Sequence, residues 1–534
     1  MRTAFLALLA FTCLTVAVAQ NPPVGGRGEA PAGGRGRGGR GAEPQQGPPL
    51  VGPMAARFAP PWGAARTGAQ SLLNWRIGIP LHSFPRLMFS EAAVKADALN
   101  LASVAGSSQQ RLSPAVPKPL DANLLAGERK EVLDRLRTLR LQMPVYMSPA
   151  ISGNEQEARK LFVFARSVNV QTIAVDRVPE AFPMIEKLAE EHEVNVAVCG
   201  DLKSVLAAIQ GRGKRIGVCG DTGAWMEAGV APLDALKQVN TRMMVLTLRD
   251  RTALGASGKP ARIGSGAGRL SDFLLEMRQM QIAPSLIMVH SGTATDPSVE
   301  FGRALDDLEK TIQPVMARRV AEIWDRVPIK GPDRLTPEQI KRVEDALPTA
   351  AAAKPRRARK LLVVDVNVGY GGARGGHATI PAANLAIDLM GKRLGAWETV
   401  LSNDINNFQY DRLKQFDAVF LNNTVGMLFS DPEVRTALLR YVREGGGLAA
   451  YHGASHASMD WPEFGEMLGA RQENARTEVE SPSLDDPNNP LREWQPPSSN
   501  EIVTVKIDDP NSPLTVPFGG KGFVQNDEYY RFYD

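Results

Sequence analysis

Eight short apolar runs alternate with amphipathic segments between about residue 75 and residue 290, and this alternation constrains the fold more than any other feature. Each run is four or five residues long, which suits a buried parallel strand, and most intervening segments place apolar residues at helical spacing. Strands that alternate with helices favour a parallel sheet, and eight such units over roughly 250 residues favour closure into a (β/α)8 TIM barrel. The predicted strands are 76–79, 98–101, 143–146, 172–175, 194–198, 215–218, 243–246 and 285–289.

A second alternation of strands and helices begins at Lys360. Repeated strand–helix units of this kind predict a flavodoxin-like three-layer domain built on a parallel sheet. Its clearest helices are 382–394 and 431–444. Its predicted strands are 361–365, 397–401, 418–421 and 448–451.

The stretch GGGLAAYHGASH, residues 445–456, contains the last of these strands. Its three leading glycines permit a tight reversal after the preceding helix, and the run 448–451 is expected to be a fully buried strand. Ligands of open α/β sheets bind outside the carboxyl ends of the strands, so His452 is placed for chemistry. The alternative is that His452 and His456 only bond backbone carbonyls.

The 534 residues exceed what one hydrophobic core usually holds, which predicts two folded domains. The stretch PTAAAAKPRRARK separates them, because alanine, proline and clustered basic residues are typical of a solvated linker. We therefore expect the barrel over 71–330, the linker over 331–359 and the second domain over 360–534.

The first residues have the pattern of a secretory signal peptide over 1–19, with Arg2, an apolar middle and small residues at the exit. Residues 20–70, which include GGRGEAPAGGRGRGGRG, cannot bury enough apolar surface to fold and predict a flexible leader. No later run is long enough to span a bilayer, and a net charge of +4 gives no reason to expect nucleic acid. We expect an exported protein, periplasmic or extracellular, that leaves the membrane after cleavage.

Two cysteines, Cys199 and Cys219, remain in the mature chain. Both lie in strand-like runs, VNVAVCGD and RIGVCGD. A disulfide between them and a pair of buried neighbouring thiols are equally open.

Three motifs in the later part of the barrel resemble the xylose-isomerase-like barrels of the sugar phosphate isomerase/epimerase family. Gly220-Asp221-Thr222-Gly223 is similar to the D-T-G-H strand end of that family, and Leu248-Arg249-Asp250 is similar to its H-L-K-D strand. Ile263-Gly264-Ser265-Gly266 is similar to its L-G-x-G loop. The resemblance implies a divalent metal at the strand ends, where it polarises a sugar carbonyl or enediolate.

The metal-ligand pattern of that family is incomplete in this chain. Ala224 and Thr247 stand where the family has histidines. Asp176, Asp221 and His290 are left as oxygen and imidazole donors for a weak site, so a divalent metal is the one cofactor that stays open. A barrel retained as a scaffold or a sugar-binding surface is favoured over a metal-dependent enzyme.

Five ordered motifs between Lys360 and the end of the chain resemble the ThuA-like domain, the trehalose-utilisation family related in fold to class I glutamine amidotransferases. His452 stands where an amidotransferase has its nucleophilic cysteine, which excludes glutamine hydrolysis through a thioester. The motifs are the glycine loop 369–376 with His377 and Ile380-Pro381, NNTVGMLF at 422–429, GGGLAAYHGASH, Trp461 with Gly465 and Leu468-Gly469-Ala470, and DEYYRF at 527–532.

The ThuA resemblance implies carbohydrate chemistry and supplies the candidate site. His452 is the candidate general acid/base, because neutral imidazole exchanges protons near physiological pH. Asp527 or Glu528 is expected to orient His452, to act as the opposing base, or to bind a metal together with the histidines. The set is His377, His452, Asp527 and Glu528 for catalysis, and Asn422, Gly453 and Tyr529 for binding the substrate.

Two departures from the ThuA pattern bear on this prediction. No histidine follows Ala470 in the stretch RQEN, and the chain stops at Asp534, soon after its last motif, so we expect a C-terminally truncated domain.

Three functions follow, each with a small carbohydrate as the partner and an undetermined oligomeric state. The first is an exported enzyme that acts on a sugar or keto-glycoside by proton transfer at His452. The second is a non-catalytic carbohydrate-binding or scaffold protein. The third is a metal-assisted isomerase or epimerase whose chemistry lies in the barrel.

Overall fold

The computed structural model describes most of the two predicted domains. The signal peptide predicted over 1–19, the leader up to residue 67 and the glycine loop 369–376 lie outside the described residues. The described residues are 68–290, 296–351, 356–368, 377–458, 460–469, 471–472, 501–511, 515, 518–527 and 532–533.

Eight parallel strands close into a barrel, as the alternation of apolar runs predicts. The order around the barrel is β1-β8-β7-β6-β5-β4-β3-β2, so each strand pairs with its neighbours in the sequence and β8 closes onto β1. Ala105, Ala174 and Ala197 belong to the cluster that fills the interior. The strands are β1 (Ile77–Pro80), β2 (Ser103–Ser107), β3 (Gln142–Ser148), β4 (Thr172–Val175), β5 (Asn195–Cys199), β6 (Ile216–Asp221), β7 (Met243–Leu248) and β8 (Leu286–Val289).

The second predicted strand, 98–101, is wrong. These residues end a helix: Phe89–Ala98 is helical, and Asn100 turns the chain with a φ of +55°. The true second strand, SVAGS, consists of small residues that carry no strong apolar signal, and its burial comes from the closed barrel around it.

Helices cover the outside of the barrel, and local signals fix several of their ends. The helix Glu155–Ser167 begins after Asn154, which caps it by accepting hydrogen bonds from the backbone N–H groups of Gln156 and Glu157. The helices are α1 (Gly68–Leu73), α2 (Phe89–Ala98), α3 (Ala126–Thr138), α4 (Glu155–Ser167), α5 (Phe182–His192), α6 (Leu202–Ile209), α7 (Thr222–Glu227), α8 (Pro232–Val239), α9 (Leu270–Gln279) and α10 (Ser298–Arg326).

The last barrel helix, α10, also packs against the second domain. It is 29 residues long, and its Trp324 is buried between Phe408 and Phe429 of that domain. The indole Nε1 of Trp324 donates to the carbonyl of Leu428 at 3.1 Å. The two domains therefore share a continuous apolar contact through this helix.

The second domain has a four-stranded parallel sheet in the order β10-β9-β11-β12. In chain order this is 2-1-3-4, the arrangement of flavodoxin-like folds, and it confirms the predicted architecture. The helices are α11 (Pro337–Ala346), α12 (Ile380–Leu394), α13 (Tyr410–Leu413), α14 (Pro432–Arg443) and α15 (Pro462–Leu468). The sheet strands are β9 (Lys360–Val364), β10 (Glu398–Leu401), β11 (Ala418–Asn422) and β12 (Gly447–Tyr451).

The remaining elements are short. An antiparallel pair joins β13 (Glu501–Val505) to β14 (Phe523–Asp527). Two-residue ladders pair Asp250–Arg251 with Pro260–Ala261, Asn367–Val368 with Val425–Gly426, and Arg471–Gln472 with Phe532–Tyr533. Single 3-10 turns occupy Leu81–Ser83, Asn240–Arg242, Pro332–Arg334, Ile405–Phe408 and His452–His456. Among the described helices, none combines the length and the apolar character needed to cross a bilayer.

Candidate active site

The backbone turns sharply where β12 ends, and this turn presents His452. Gly445 has a φ of +102°, which confirms that the leading glycines reverse the chain before the strand. β12 itself is half-buried rather than fully buried, because it is the outermost strand of the described sheet. His452 then adopts a φ of +52° and opens the 3-10 turn His452–His456. A non-glycine residue in this left-handed region costs about 1–3 kcal/mol and persists where the surrounding structure holds it, often at functional sites.

His377 lies against His452. Its carbonyl accepts a hydrogen bond from the N–H of Ile380, so it stands at the entrance to α12. The centroids of the two imidazole rings are 4.5 Å apart with an interplanar angle of 77°, an edge-to-face contact. Two residues that are 75 positions apart in the sequence thus form one pair of titratable rings.

Gly453 lies in the wall of the site beside this ring pair. The residue is buried, and a Cβ at this position would lie 3.1 Å from Cγ2 of Val425 and 3.8 Å from Nε2 of His377. A side chain here would press on the wall of the site. The role of Gly453 in substrate binding stays a prediction.

Asn422, which was expected to bind substrate, is fully buried behind the histidines. Its side-chain amide donates to the carbonyl of Ile380 at 3.1 Å and to Oδ1 of Asn384 at 2.8 Å. Its Oδ1 accepts from Nδ2 of Asn423 at 3.0 Å. Because both ends of the amide are used inside the protein, Asn422 supports the site from behind instead of touching a substrate.

His456 closes the same 3-10 turn and is mostly buried. Burial lowers its pKa to about 4, so the imidazole is neutral at physiological pH. This marks it as a packed histidine rather than a proton carrier near neutrality.

Three of the predicted site residues lie partly or wholly outside the described residues. The backbone of Asp527 ends β14, but its side chain, and all of Glu528 and Tyr529, lie outside the described residues.

The mouth of the barrel holds a second group of charged residues. The Arg249 guanidinium forms a two-point ion pair with the Asp221 carboxylate, with Nε 2.9 Å from Oδ1 and Nη2 2.7 Å from Oδ2. Gly223 makes room for the arginine, since a Cβ there would lie 2.7 Å from the Arg249 side chain. Asp221 also caps α7 by accepting from the N–H of Ala224. The carboxylate predicted to bind a metal is therefore already committed to a guanidinium and a helix end.

The other predicted metal ligands do not complete a site. Asp176 and His290 are exposed at the ends of β4 and β8. Across the described part of the chain, no three His, Cys, Asp or Glu side chains are grouped so that they could hold a metal ion. The donor set does not fit a divalent cation.

His82 is a barrel-mouth residue that the sequence reading missed. It follows β1, and burial lowers its pKa while the charge of Asp176 raises it and that of His290 lowers it. Its place directly after a short apolar run, at a strand end, is the signal that could have found it.

The two cysteines lie side by side as free thiols. Cys199 on β5 and Cys219 on β6 are paired in register, which matches the expectation of neighbouring thiols. The pKa of Cys219 is raised well above its usual value, mainly by hydrogen bonding with the Cys199 thiol and to a smaller extent by burial.

Comparison with known proteins adds a family to this geometry. Residues 365–534 match the ThuA family, described as trehalose utilisation. An uncharacterized protein from Parabacteroides distasonis is 24% identical, with a TM-score of 0.38, over 44% of this chain and 99% of that one. A xylose isomerase-like TIM barrel protein from Mycobacterium smegmatis, in complex with magnesium, is 10% identical, with a TM-score of 0.38, over 46% and 99%. A ThuA-like protein from Bacteroides uniformis is 19% identical, with a TM-score of 0.25, over 34% and 64%. No curated protein matches the chain in sequence.

These findings confirm the predicted order of folds. The strand pairing establishes the closed barrel, and the sequence of 365–534 establishes the ThuA domain that follows it. The description of the ThuA family relates that domain to carbohydrate utilisation.

Proposed function

We propose that this chain, a TIM barrel followed by a ThuA domain, is an enzyme that acts on a sugar or keto-glycoside by proton transfer in the ThuA domain. The observation that carries the proposal is the ring pair of His377 and His452, 4.5 Å apart, with His452 on a left-handed turn at the end of β12. Ligands of flavodoxin-like folds bind at this edge of the sheet. A histidine pair held at such a position suits acid/base chemistry.

Two imidazoles can transfer protons in opposite directions: one accepts a proton from the substrate while the other donates a proton to it. A sugar carbonyl acidifies the C–H bond beside it, so neutral His452 can accept that proton while protonated His377 donates one to a departing glycosidic oxygen. The C–H electron pair becomes a C=C bond as the C–O bond breaks, and the departing oxygen leaves as an alcohol. The step needs no covalent enzyme intermediate, in keeping with residues 360–534, which contain no cysteine.

The surrounding residues serve this step by holding the rings. His452 has a left-handed backbone at the strand end, and Gly453 next to it lies close to Val425 and His377. Side chains fixed before the substrate arrives contribute to catalysis because less ordering is needed in the transition state.

The test is product formation, followed by NMR, from disaccharides and their 3-keto derivatives. We expect the parent protein to convert a keto-glycoside, and His452→Ala and His377→Gln to lose about 100-fold or more in kcat, the usual scale for a general acid or base. His192→Gln is the matched control, because this histidine packs on Phe162 in the barrel, away from the ring pair. Equal turnover by His452→Ala and the parent would refute the proposal.

A second candidate is a non-catalytic carbohydrate-binding role for the barrel. The ion pair between Asp221 and Arg249 favours it over a metal-assisted isomerase, since the carboxylate that would hold the metal is engaged. A carboxylate accepts hydrogen bonds from sugar hydroxyls, and a guanidinium donates hydrogen bonds to them. If a folded parent binds disaccharides but converts none of them, this candidate replaces the first.

Export remains part of the proposal and rests on the sequence of residues 1–19. We expect the mature chain to begin at Gln20 in the exported fraction. N-terminal sequencing of the protein from that fraction tests this, and an intact Met1 would contradict it.

A further inference from the structure

Side-chain amides form a directed chain of hydrogen bonds behind the ring pair. Asn423 Nδ2 donates to Oδ1 of Asn422 at 3.0 Å, and Asn422 Nδ2 donates to Oδ1 of Asn384 at 2.8 Å. Asn384 Nδ2 in turn donates to Oδ2 of Asp365 at 2.7 Å. All four residues are at most 1% exposed. The chain therefore runs through the core from β9, past α12, to the end of β11.

A buried acid anchors the far end of this chain. Asp365 accepts further hydrogen bonds from Asn403 Nδ2 at 2.7 Å and from the backbone N–H of Lys330 at 2.9 Å. The Lys330 ammonium lies 3.7 Å from Asp365 Oδ1, and burial lowers its pKa. Because Lys330 balances the charge of Asp365, the chain of hydrogen bonds acts mainly by fixing each side-chain amide in one orientation.

The near end of the chain is Asn423, which lies beside His452. Asn422 and Tyr451 are register partners on β11 and β12, and the N–H of Asn423 donates to the carbonyl of Tyr451 at 3.2 Å. Asn423 and His452 are the next residues on the two strands, and both have left-handed backbones, with φ of +54° and +52°. Two neighbouring strands thus end in the same unusual turn.

The Asn423 side chain has one hydrogen-bonding atom left over. Its Nδ2 is committed to Asn422, while its Oδ1 is buried and has no hydrogen-bond partner among the described residues. Since Nδ2 is fixed, the amide cannot rotate to exchange its two ends. A buried acceptor of this kind is costly unless something donates to it.

We propose that Asn423 is a positioning residue for His452, whose imidazole N–H donates to Asn423 Oδ1 in the working site. The hydrogen bond selects one tautomer of His452 and so decides which ring nitrogen exchanges a proton with the substrate. The amide chain from Asp365 holds the acceptor still. This inference rests on the proposed role of His452, and it assigns to Asn423 the orienting task that the sequence reading gave to Asp527 or Glu528.

Histidine-selective 15N NMR of the full chain tests the proposal without a substrate. The chain has six histidines, so each imidazole can be assigned from a single His→Gln variant. We expect one neutral tautomer for His452 in the parent and a mixture of tautomers in Asn423→Gly. Glycine is the better replacement because it accepts a φ of +54° without strain. Asn384→Ala, which breaks the hydrogen-bonded chain two hydrogen bonds away from Asn423, should broaden the same signals less.

Kinetics supply the second readout on the same proteins. We expect Asn423→Gly to lower kcat about tenfold with little change in KM, as loss of an orienting partner does in other sites. Asn169→Ala is the matched control, because Asn169 also has a left-handed backbone, φ +60°, but lies in the barrel. It should lose stability without altering the His452 signals.

The outcomes separate this proposal from the proposed function. Unchanged His452 signals in a folded Asn423→Gly overturn the positioning role, whatever the activity. Altered signals in that variant, together with a parent that converts no sugar, uphold the positioning role and overturn the enzyme. Altered signals in Asp527→Asn or Glu528→Gln but not in Asn423→Gly return the orienting role to the acidic pair.

Discussion

The two domains gather titratable side chains at the same kind of place, the carboxyl edge of a parallel sheet, but they use them differently. At the barrel mouth, Asp221 and Arg249 neutralise each other, and the exposed Asp176 and His290 complete no ligand set with Asp221. In the ThuA domain, His377 and His452 touch each other. Topology decides where polar groups collect, and local pairing decides whether they stay available for chemistry.

The largest expected effect contrasts two aspartates at strand ends. Asp365→Ala should lower the free energy of unfolding by about 3–5 kcal/mol, because it leaves the Lys330 ammonium buried without its partner. Asp221→Ala should cost about 1 kcal/mol or less, because its pair with Arg249 is partly exposed. Urea unfolding of both variants measures the difference. Equal losses of unfolding free energy would mean that the Asp221–Arg249 pair stabilises the fold as much as the buried Asp365–Lys330 pair.

The next effect concerns the wall of the ring pair. Gly453→Val should lower kcat about 10- to 100-fold, because a misplaced catalytic ring is costly and the new side chain would push against Val425 and His377. Gly127→Ala is the control, since a Cβ at that barrel position meets no atom within 4 Å. Steady-state kinetics on the converted sugar measure the change. Full activity in Gly453→Val would show that the spacing of the two rings does not matter.

A smaller effect follows from the burial of His456. Its pKa is lowered to about 4 in the folded protein, so the unfolded chain binds the extra proton as pH falls below about 6.5. The free energy of unfolding is therefore unaffected by protonation of this histidine above pH 6.5. It falls by about 1–3 kcal/mol as the pH is lowered towards 4.

The check is the free energy of unfolding of the second domain between pH 7 and pH 4. His456→Gln should flatten the decline. A parallel decline in His456→Gln and the parent would assign the acid sensitivity to other groups.

The smallest expected effect is that of metal removal. Since the donors at the barrel mouth do not form a ligand set, we expect dialysis against EDTA to leave both turnover and the unfolding midpoint unchanged. Loss of activity with EDTA, restored by a stoichiometric divalent cation, would contradict this prediction and show that a metal takes part in the reaction.

Much of the fold could be predicted because periodicity is a local property. Seven of the eight barrel strands and the helices named from the sequence fall within a few residues of the observed elements. The missed strand, SVAGS, lacks large apolar side chains, and only closure of the barrel buries it. The run ALNL was predicted as a strand in its place, and it is apolar because it lies at the end of α2.

The site was predictable by residue type but not by partner. His377 and His452 were named from their motifs, and the structure brings them together. Asn422 was named as well, but its burial and its two amide partners give it a supporting role. His82 was missed although it stands directly after a short apolar run, and only the closed barrel brings the charges of Asp176 and His290 to bear on it.

The sequence by itself determined the order of the two folds, the strand that ends in His452 and the exclusion of a thioester mechanism. Those conclusions need only residue types and their spacing along the chain. The tertiary structure alone decided that Arg249 neutralises Asp221, that His377 contacts His452, and that two buried amides link Asp365 to Asn423. Each of these depends on distances between residues that are remote in sequence, and such distances are set by packing rather than by local pattern.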